Sequence, residues 1–289
     1  MKNYILKRTI LIFLACFTCL TSCSSNNSDE DFIIPPHITE QGKQENALRI
    51  MTYNIATFTR DPNNLHNYQT IANMVLEKEA DLVCLNELDS CTTRTGKIYQ
   101  LEKFANILNW DFKYGAAMPY KGGTYGEGIA TKEKAIKKFT VALPKGDGAE
   151  PRVLVVMEME DYVIATTHLD HSNEAAHKAQ VNLITETMNK HYKNSEKPVF
   201  LGGDLNAKPD SETMQLVKKD WEILSVTMPT FPSHKPTACI DYIIQYKNGV
   251  KVDLVNSQVL RWFNTGDAST ASDHLPVIVD VILPKKIKK

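Results

Sequence analysis

The chain has 289 residues, with 33 Lys and Arg against 34 Asp and Glu, a formal net charge of −1, and 43% hydrophobic residues. Without an excess of phosphate-neutralising cations, it is poorly suited to binding nucleic acid strongly and without sequence preference. Its length suits one large domain with a substantial core.

The first residues read as an address. Lys2, Lys7 and Arg8 form a basic segment and Thr9 to Leu20 a short apolar run, the pattern of an export signal. That run is too short to span a bilayer as a mature helix. Leu20-Thr21-Ser22-Cys23 resembles the bacterial lipobox, which makes Cys23 the lipidated first residue of the mature chain. The alternative is an ordinary secretory peptide whose cleavage site contains a cysteine. Removing residues 1–22 leaves 30 basic against 34 acidic residues, a net of −4. Residues 23–46, with Ser, Asn, an acidic Ser28-Asp29-Glu30-Asp31 cluster and Pro35-Pro36, lack apolar periodicity and read as a flexible tether. The acidic cluster is similar to surface-export signals of Bacteroidetes lipoproteins, although acidic linkers also serve solubility. The expected organisation is a signal peptide over 1–22, a tether over 23–46 and one catalytic domain over 47–289. The expected location is the outer membrane, on its periplasmic or cell-surface face.

Leu48 to Ile55 alternates as a strand, and Tyr68, Ile71, Ala72, Val75 and Leu76 recur at helical spacing. Asp81 to Leu85 reads as a short buried strand. A second helix carries Ile98, Leu101, Phe104, Ala105 and Leu108 on one face. Strands are predicted over Phe112–Met118, Tyr125–Thr131, Lys134–Phe139, Arg152–Met159 and Tyr162–Thr167, separated by Gly, Pro and Asp signals. The Lys132, Lys134, Lys137 and Lys138 cluster reads as a solvated strand edge. A third helix runs from about Ser172 to Lys193, then a buried strand over Pro198–Leu201 and a short helix after Asp210. Strands near Ile240–Tyr246, Val252–Leu260 and Pro276–Leu283 close the chain. Helices among many strands without strict βα alternation predict a mixed α/β sandwich over a Rossmann sheet. Three cysteines beyond Cys23, namely Cys84, Cys91 and Cys239, show no metal spacing and leave room for one disulfide.

Asn54, Glu87, His168 and Asp204 each lie at or just past the carboxyl end of an apolar strand, where α/β sheets bind ligands. Carboxylates placed there are costly to bury without a cation or donors around them. Thr52-Tyr53-Asn54-Ile55, Leu85-Asn86-Glu87, Thr167-His168-Leu169-Asp170, Gly202-Gly203-Asp204-Leu205-Asn206, Ile240-Asp241-Tyr242 and Ser272-Asp273-His274-Leu275-Pro276 follow in order. Together they resemble the endonuclease/exonuclease/phosphatase superfamily, which includes pancreatic-type deoxyribonucleases, apurinic endonucleases, inositol-polyphosphate phosphatases and bacterial sphingomyelinases. Any one motif is weak; six in sequence, spanning Leu48 to Leu283, are specific. Two departures stand out. Asn86 replaces the usual Gln, and Glu127 brings an acid where many relatives have a neutral residue, opposing a highly anionic substrate if it faces the cleft.

The resemblance implies a four-layer α/β/β/α sandwich of two packed mixed sheets flanked by helices, and a Mg²⁺-dependent phosphoester hydrolase, with Mn²⁺ as a substitute. Glu87 would ligate the metal with Asp273, since Mg²⁺ takes one or two protein carboxylates and keeps other positions for water and phosphate; Asn54 would orient its shell. Asp204 would deprotonate the attacking water, Asn206 would donate to a phosphate oxygen, and His168 and His274 would converge on the phosphate, with Asp241 fixing the His274 tautomer. Arg94 is a candidate substrate contact, with surface Arg as the plainer alternative. A zinc cluster of His168, Asp170, His171 and His177 lacks the ligands that would complete it. Trp262 and Phe263 are read as strand-end packing or an aromatic rim. The expected substrate is an extracytoplasmic phosphate ester, a small molecule or lipid head group; the rivals are a nuclease and a non-catalytic surface binding lipoprotein. The expected partners are that substrate and the membrane, through Cys23, with no obligate protein partner evident.

Overall fold

The computed structural model describes residues 42–61 and 66–285. The signal segment, Cys23 and the tether up to residue 41 lie outside the described residues. Just before the first strand, the ammonium of Lys43 pairs with Asp81.

Twelve strands are found among the described residues: β1 Leu48–Asn54, β2 Leu82–Ser90, β3 Asp111–Tyr120, β4 Gly123–Thr131, β5 Lys137–Leu143, β6 Arg152–Glu158, β7 Val163–His168, β8 Val199–Asp204, β9 Trp221–Ile223, β10 Asp241–Tyr246, β11 Asp253–Val259 and β12 Val277–Ile282. They form two six-stranded sheets, ordered β11-β12-β1-β2-β4-β3 and β5-β6-β7-β8-β10-β9. Each sheet has a parallel pair at its centre, β1 with β2 and β7 with β8, while all other pairings are antiparallel. Parallel neighbours need a crossover. Helix α1, Tyr68–Glu77, supplies it in the first sheet and α3, Glu174–Tyr192, in the second. Helices α2, Gln100–Leu108, and α4, Glu212–Asp220, complete the outer layers, and α5 is a single turn over Ala268–Ala271.

The two-residue strand period sorts side chains between the layers. Ile50, Leu82, Cys84, Val155, Ile164 and Phe200 meet between the sheets. Their neighbours Met51, Val83 and Leu85 face outward to Ile71, Val75, Leu101 and Phe104 of α1 and α2. Val163, Ala165, Val199 and Leu201 face Val181, Ile184 and Met188 of α3. Strands covered on both faces read as unbroken apolar runs, which is why these segments are so hydrophobic. Each fully buried aliphatic or Phe side chain contributes about 1.5–3 kcal/mol. Gly203 is required by closeness, since a Cβ there would lie 2.0 Å from the Thr167 carbonyl oxygen; one on Gly202 would press on Cys84 Sγ at 3.1 Å.

This is the expected sandwich. The expected Lys134–Phe139 strand starts instead at Lys137 and runs to Leu143 along a sheet edge, with Lys138 paired to Asp111 and Lys132 to Asp81. Cys84, Cys91 and Cys239 are all free thiols. Phe263 packs against the first helical layer under Lys78, whereas Trp262 is 71% exposed.

Candidate active site

Sheet topology gathers the polar residues. The parallel register places Asn54 beside Asn86 in one sheet and His168 beside Asp204 in the other, and the antiparallel β10 brings its first residue, Asp241, opposite Asp204. The two sheets present these ends to one cleft of about 380 Å³, lined by Glu87, Tyr125, Glu150, Arg152, His168, His171, Asp204, Asn206, Phe231, Ile240, Asp273 and His274. Residues separated by nearly two hundred positions therefore meet, as the sequence motifs required.

Asp204 is at the centre. Its Oδ2 lies 3.6 Å from Nε2 of both His168 and His274 and accepts from Asn54 Nδ2 at 3.2 Å; Oδ1 accepts from the Asn206 backbone N–H at 2.9 Å. Burial and the nearby Asp241 carboxylate raise its affinity for a proton, against the His274 charge. His274 Nδ1 meets Asp241 Oδ2 at 2.9 Å, and the Thr230 hydroxyl donates to the same oxygen at 2.5 Å. Burial alone would lower the His274 pKa, but Asp241 outweighs it and holds the imidazole up to about 10. His168 is pushed the other way: burial, then the charges of Arg152 and His274, hold it well below the usual histidine range, so it is a neutral imidazole. Two rings facing one carboxylate thus carry different charges.

Glu87 is reached through a distortion of β2. The β2–β4 register shifts between Leu85 and Leu88, a bulge, and Glu87 sits at φ +62°. Bulges beside active sites re-aim side chains, and this one turns Glu87 into the cleft, where Oε1 accepts from Asn54 Nδ2 at 3.0 Å. Burial and the Asp273 carboxylate raise the Glu87 pKa. Glu87 and Asp273 offer hard carboxylate oxygens of the kind that suit a small hard cation such as Mg²⁺, whereas Asn54 turns its Nδ2 to Glu87 and Asp204 and accepts the Ala56 N–H on Oδ1 at 3.2 Å, so it orients the carboxylates. Asp273 also accepts from Arg60 Nη2 at 3.0 Å, a largely exposed side chain.

Asn206 has a positive φ of +47° and spends one amide hydrogen on the Leu169 carbonyl at 3.1 Å; an amide nitrogen carries two. Arg94 is elsewhere. It does not line the cleft itself: it makes a bidentate pair with Asp89 at 2.7 and 2.8 Å and lies over Tyr120 at 4.4 Å and over the cleft residue Tyr125 at 5.6 Å. Glu127 is fully buried behind Glu87 and does not face substrate; burial, opposed by Arg152, raises its pKa to about 7. Asp170 spends its carboxylate on Ala149, Glu150, Ser172 and Asn173 N–H groups, and His177 bonds the Asp170 carbonyl, so these residues build loops.

The residue that the motifs missed is Arg152. Its side chain is 1% exposed, Nη2 pairs with Glu150 at 3.3 Å, and Nε and Nη1 are buried without a partner on the wall of the cleft. A guanidinium with two buried donors not used within the chain has the chemistry to receive an anionic oxygen. The readable signal was an Arg opening the apolar run Val153-Leu154-Val155-Val156-Met157.

Two six-stranded mixed sheets with this acid and imidazole cluster at one edge are the architecture of the endonuclease/exonuclease/phosphatase fold. The chain belongs to the endonuclease/exonuclease/phosphatase family, whose sequence pattern it matches over residues 51–274. Members of this family are hydrolases of phosphoesters and generally need a divalent metal. Among solved structures, a mannosyl-6-phosphatase from Bacteroides thetaiotaomicron is similar at 19% identity and a TM-score of 0.65, over 82% of this chain and 100% of that one. The human Nocturnin catalytic domain, solved with a bound sulfate, is similar at 15% identity and 0.62, over 84% and 96%. ANGEL2, a 2′,3′-cyclic phosphatase, is similar at 14% identity and 0.63, over 85% and 99%. At these identities the likeness is one of fold. No curated protein matches the chain.

Proposed function

We propose that this protein is a Mg²⁺-dependent phosphoester hydrolase acting outside the cytoplasm on a phosphate ester with a compact leaving group, by in-line attack of water. The observation that carries the reading is Asp204, a buried carboxylate of raised proton affinity held 3.6 Å from two imidazoles in different charge states. Pairs of titratable groups pushed apart by their surroundings are how such sites divide acid from base work.

Asp204, fixed by Asn54 and the Asn206 N–H, takes the proton of the attacking water. Its raised affinity makes that transfer favourable near neutral pH. His274, kept as imidazolium by Asp241, and neutral His168 donate from Nε2 to phosphoryl oxygens. The free Nε and Nη1 of Arg152 and the second amide hydrogen of Asn206 supply fixed donors where charge grows. Glu87 and Asp273 would hold Mg²⁺, with Asn54 orienting Glu87 through its Nδ2; when bound, the metal neutralises phosphate charge and orients the water. Mn²⁺ is the expected substitute.

The cleft wall carries Glu87, Glu150, Asp204 and Asp273, and the chain has no net basic charge, which favours a small ester over a long polyanion. Similarity of fold to a mannosyl-6-phosphatase and a 2′,3′-cyclic phosphatase agrees with small phosphate esters as substrates. The amino-terminal signal and Cys23 support an exported, lipid-anchored protein. The test is hydrolysis of a panel of phosphate esters, with plasmid DNA included, by wild type and His274→Ala. Metal-dependent phosphate release that falls ~10²- to 10⁴-fold in the variant is expected. A loss under about tenfold removes His274 from the chemistry, and plasmid nicking without ester turnover replaces the small-ester reading with a nuclease.

A further inference from the structure

Two fully buried side chains on adjacent strands touch behind the cleft: Asn86 Nδ2 donates to Glu127 Oε2 at 3.0 Å. We propose that Glu127, acting through Asn86 and the Glu87 amide, is the positioning residue that locks the β2 bulge and thereby places both Glu87 and Asp204. The inference rests on the reading of Glu87 as a metal ligand and adds what holds it there.

The bulge creates the need. Between the pairs Leu85–Gly128 and Leu88–Gly126, two residues of β2, Asn86 and Glu87, face a single residue of β4, Glu127. A bulged residue loses its ladder partner, and an amide so buried must find another acceptor. Glu127 provides it from the facing strand: Oε2 accepts the Glu87 N–H at 3.3 Å as well as the Asn86 amide. The left-handed φ of +62° at Glu87, unusual for a side-chain-bearing residue, persists only where surroundings enforce it.

Asn86 carries the constraint to the second sheet. Its Nδ2 also donates to the Thr167 carbonyl at 3.0 Å, and its Oδ1 accepts the Asp204 N–H at 2.9 Å. The amide orientation is therefore fixed, because the flipped form would set oxygen against two acceptors and nitrogen against an N–H. One fully buried side chain thus links β2, β7 and β8 at the point where Glu87, His168 and Asp204 emerge. A carboxylate at 127 is matched to the short Asn side chain: it reaches across from β4 to a group that, on a longer amide, would extend one methylene further.

The experiment uses the full chain with three variants: Glu127→Leu, which cannot accept, Glu127→Gln, which keeps one carbonyl acceptor, and Asn86→Ala. Calorimetry with MgCl₂ alone should show affinity weakened ~10- to 100-fold in Glu127→Leu and Asn86→Ala, the usual cost of removing a group that orients a ligand. Glu127→Gln should stay within about threefold, the rescue expected of a positioning role. The double variant Glu127→Leu/Asn86→Ala should be no worse than the poorer single, because both act through one linkage. In parallel, amide hydrogen exchange without metal should lose protection at Glu87 and Asp204 in both deleting variants and keep it in Glu127→Gln. Wild-type Mg²⁺ affinity in Asn86→Ala, or unchanged exchange at Glu87 and Asp204, overturns the proposal, and Asn86→Ala decides it should Glu127→Leu not fold. Glu87→Gln serves as control: if it binds Mg²⁺ as wild type does, the ligand role of Glu87 fails, while the exchange data still judge the positioning role.

Discussion

The two ends of β1 treat buried charge in opposite ways. Near its start, Arg49 meets Asp280 of β12 in a bidentate pair at 2.6 and 2.7 Å, and its remaining nitrogen donates to the Lys78 carbonyl at 2.7 Å. Both side chains are almost completely buried, and both are satisfied within the chain. At its other end, Asn54 joins Glu87 and Asp204, carboxylates whose proton affinities are raised because burial is not matched by a full positive partner. Similar depth with different completion separates scaffold from site. Size does not separate them: a larger hollow of about 770 Å³, lined by Lys43, Glu79, Asp81, Glu133 and Tyr162, opens near the scaffold end.

The sharpest way to break this contrast is to neutralise the site end. Asp204→Asn should lower phosphate release ~10²- to 10⁴-fold, yet leave the metal-free protein at least as resistant to urea as wild type, since an incompletely paired buried carboxylate is removed. A large loss of stability in that variant would mean that Asp204 is structural. The mirror experiment is Arg49→Met, which strands Asp280 and should cost about 3–5 kcal/mol in urea unfolding while turnover per folded molecule stays unchanged. Equal damage to turnover would erase the distinction between the ends.

The smallest expected effect is in pH. A histidine held up to about 10 in the fold, against an ordinary 6.5, makes folding bind a proton. Its stabilising contribution is full below pH 6.5 and disappears as pH rises through 10. The raised Asp204 carboxyl acts in the same sense but at lower pH, its contribution being lost between its ordinary 3.8 and about 7, so the fall above pH 7 belongs to His274. The thermal midpoint of the metal-free protein should therefore fall between pH 6.5 and 10, and Asp241→Asn should flatten that fall. A flat wild-type profile would show that His274 is not held as imidazolium.

Much of the fold was readable because doubly covered strands must be apolar throughout: Leu82–Leu85, Val153–Met157 and Val199–Leu201 announce themselves. Register was not readable, which is why the strand expected at Lys134–Phe139 lies at Lys137–Leu143. The three-residue β9 and the turn α5 have too little periodicity to be seen. At the site, the local pattern already forces a shared charge problem, because Glu87, Asp204 and Asp241 follow or open apolar strands that leave them no exposed place. Which cations answer them depends on how the strands are arranged. The strand-end rule looks at carboxyl ends, but β6 is antiparallel to β7, with Leu154 opposite Thr167, so its first residue arrives at the same edge. That geometry brings Arg152 to the cleft, leaves Arg94 with Asp89, and turns Glu127 from a feared obstacle into the acceptor behind Glu87. Strand direction and register, which no local pattern encodes, set the side chains that meet at a sheet edge.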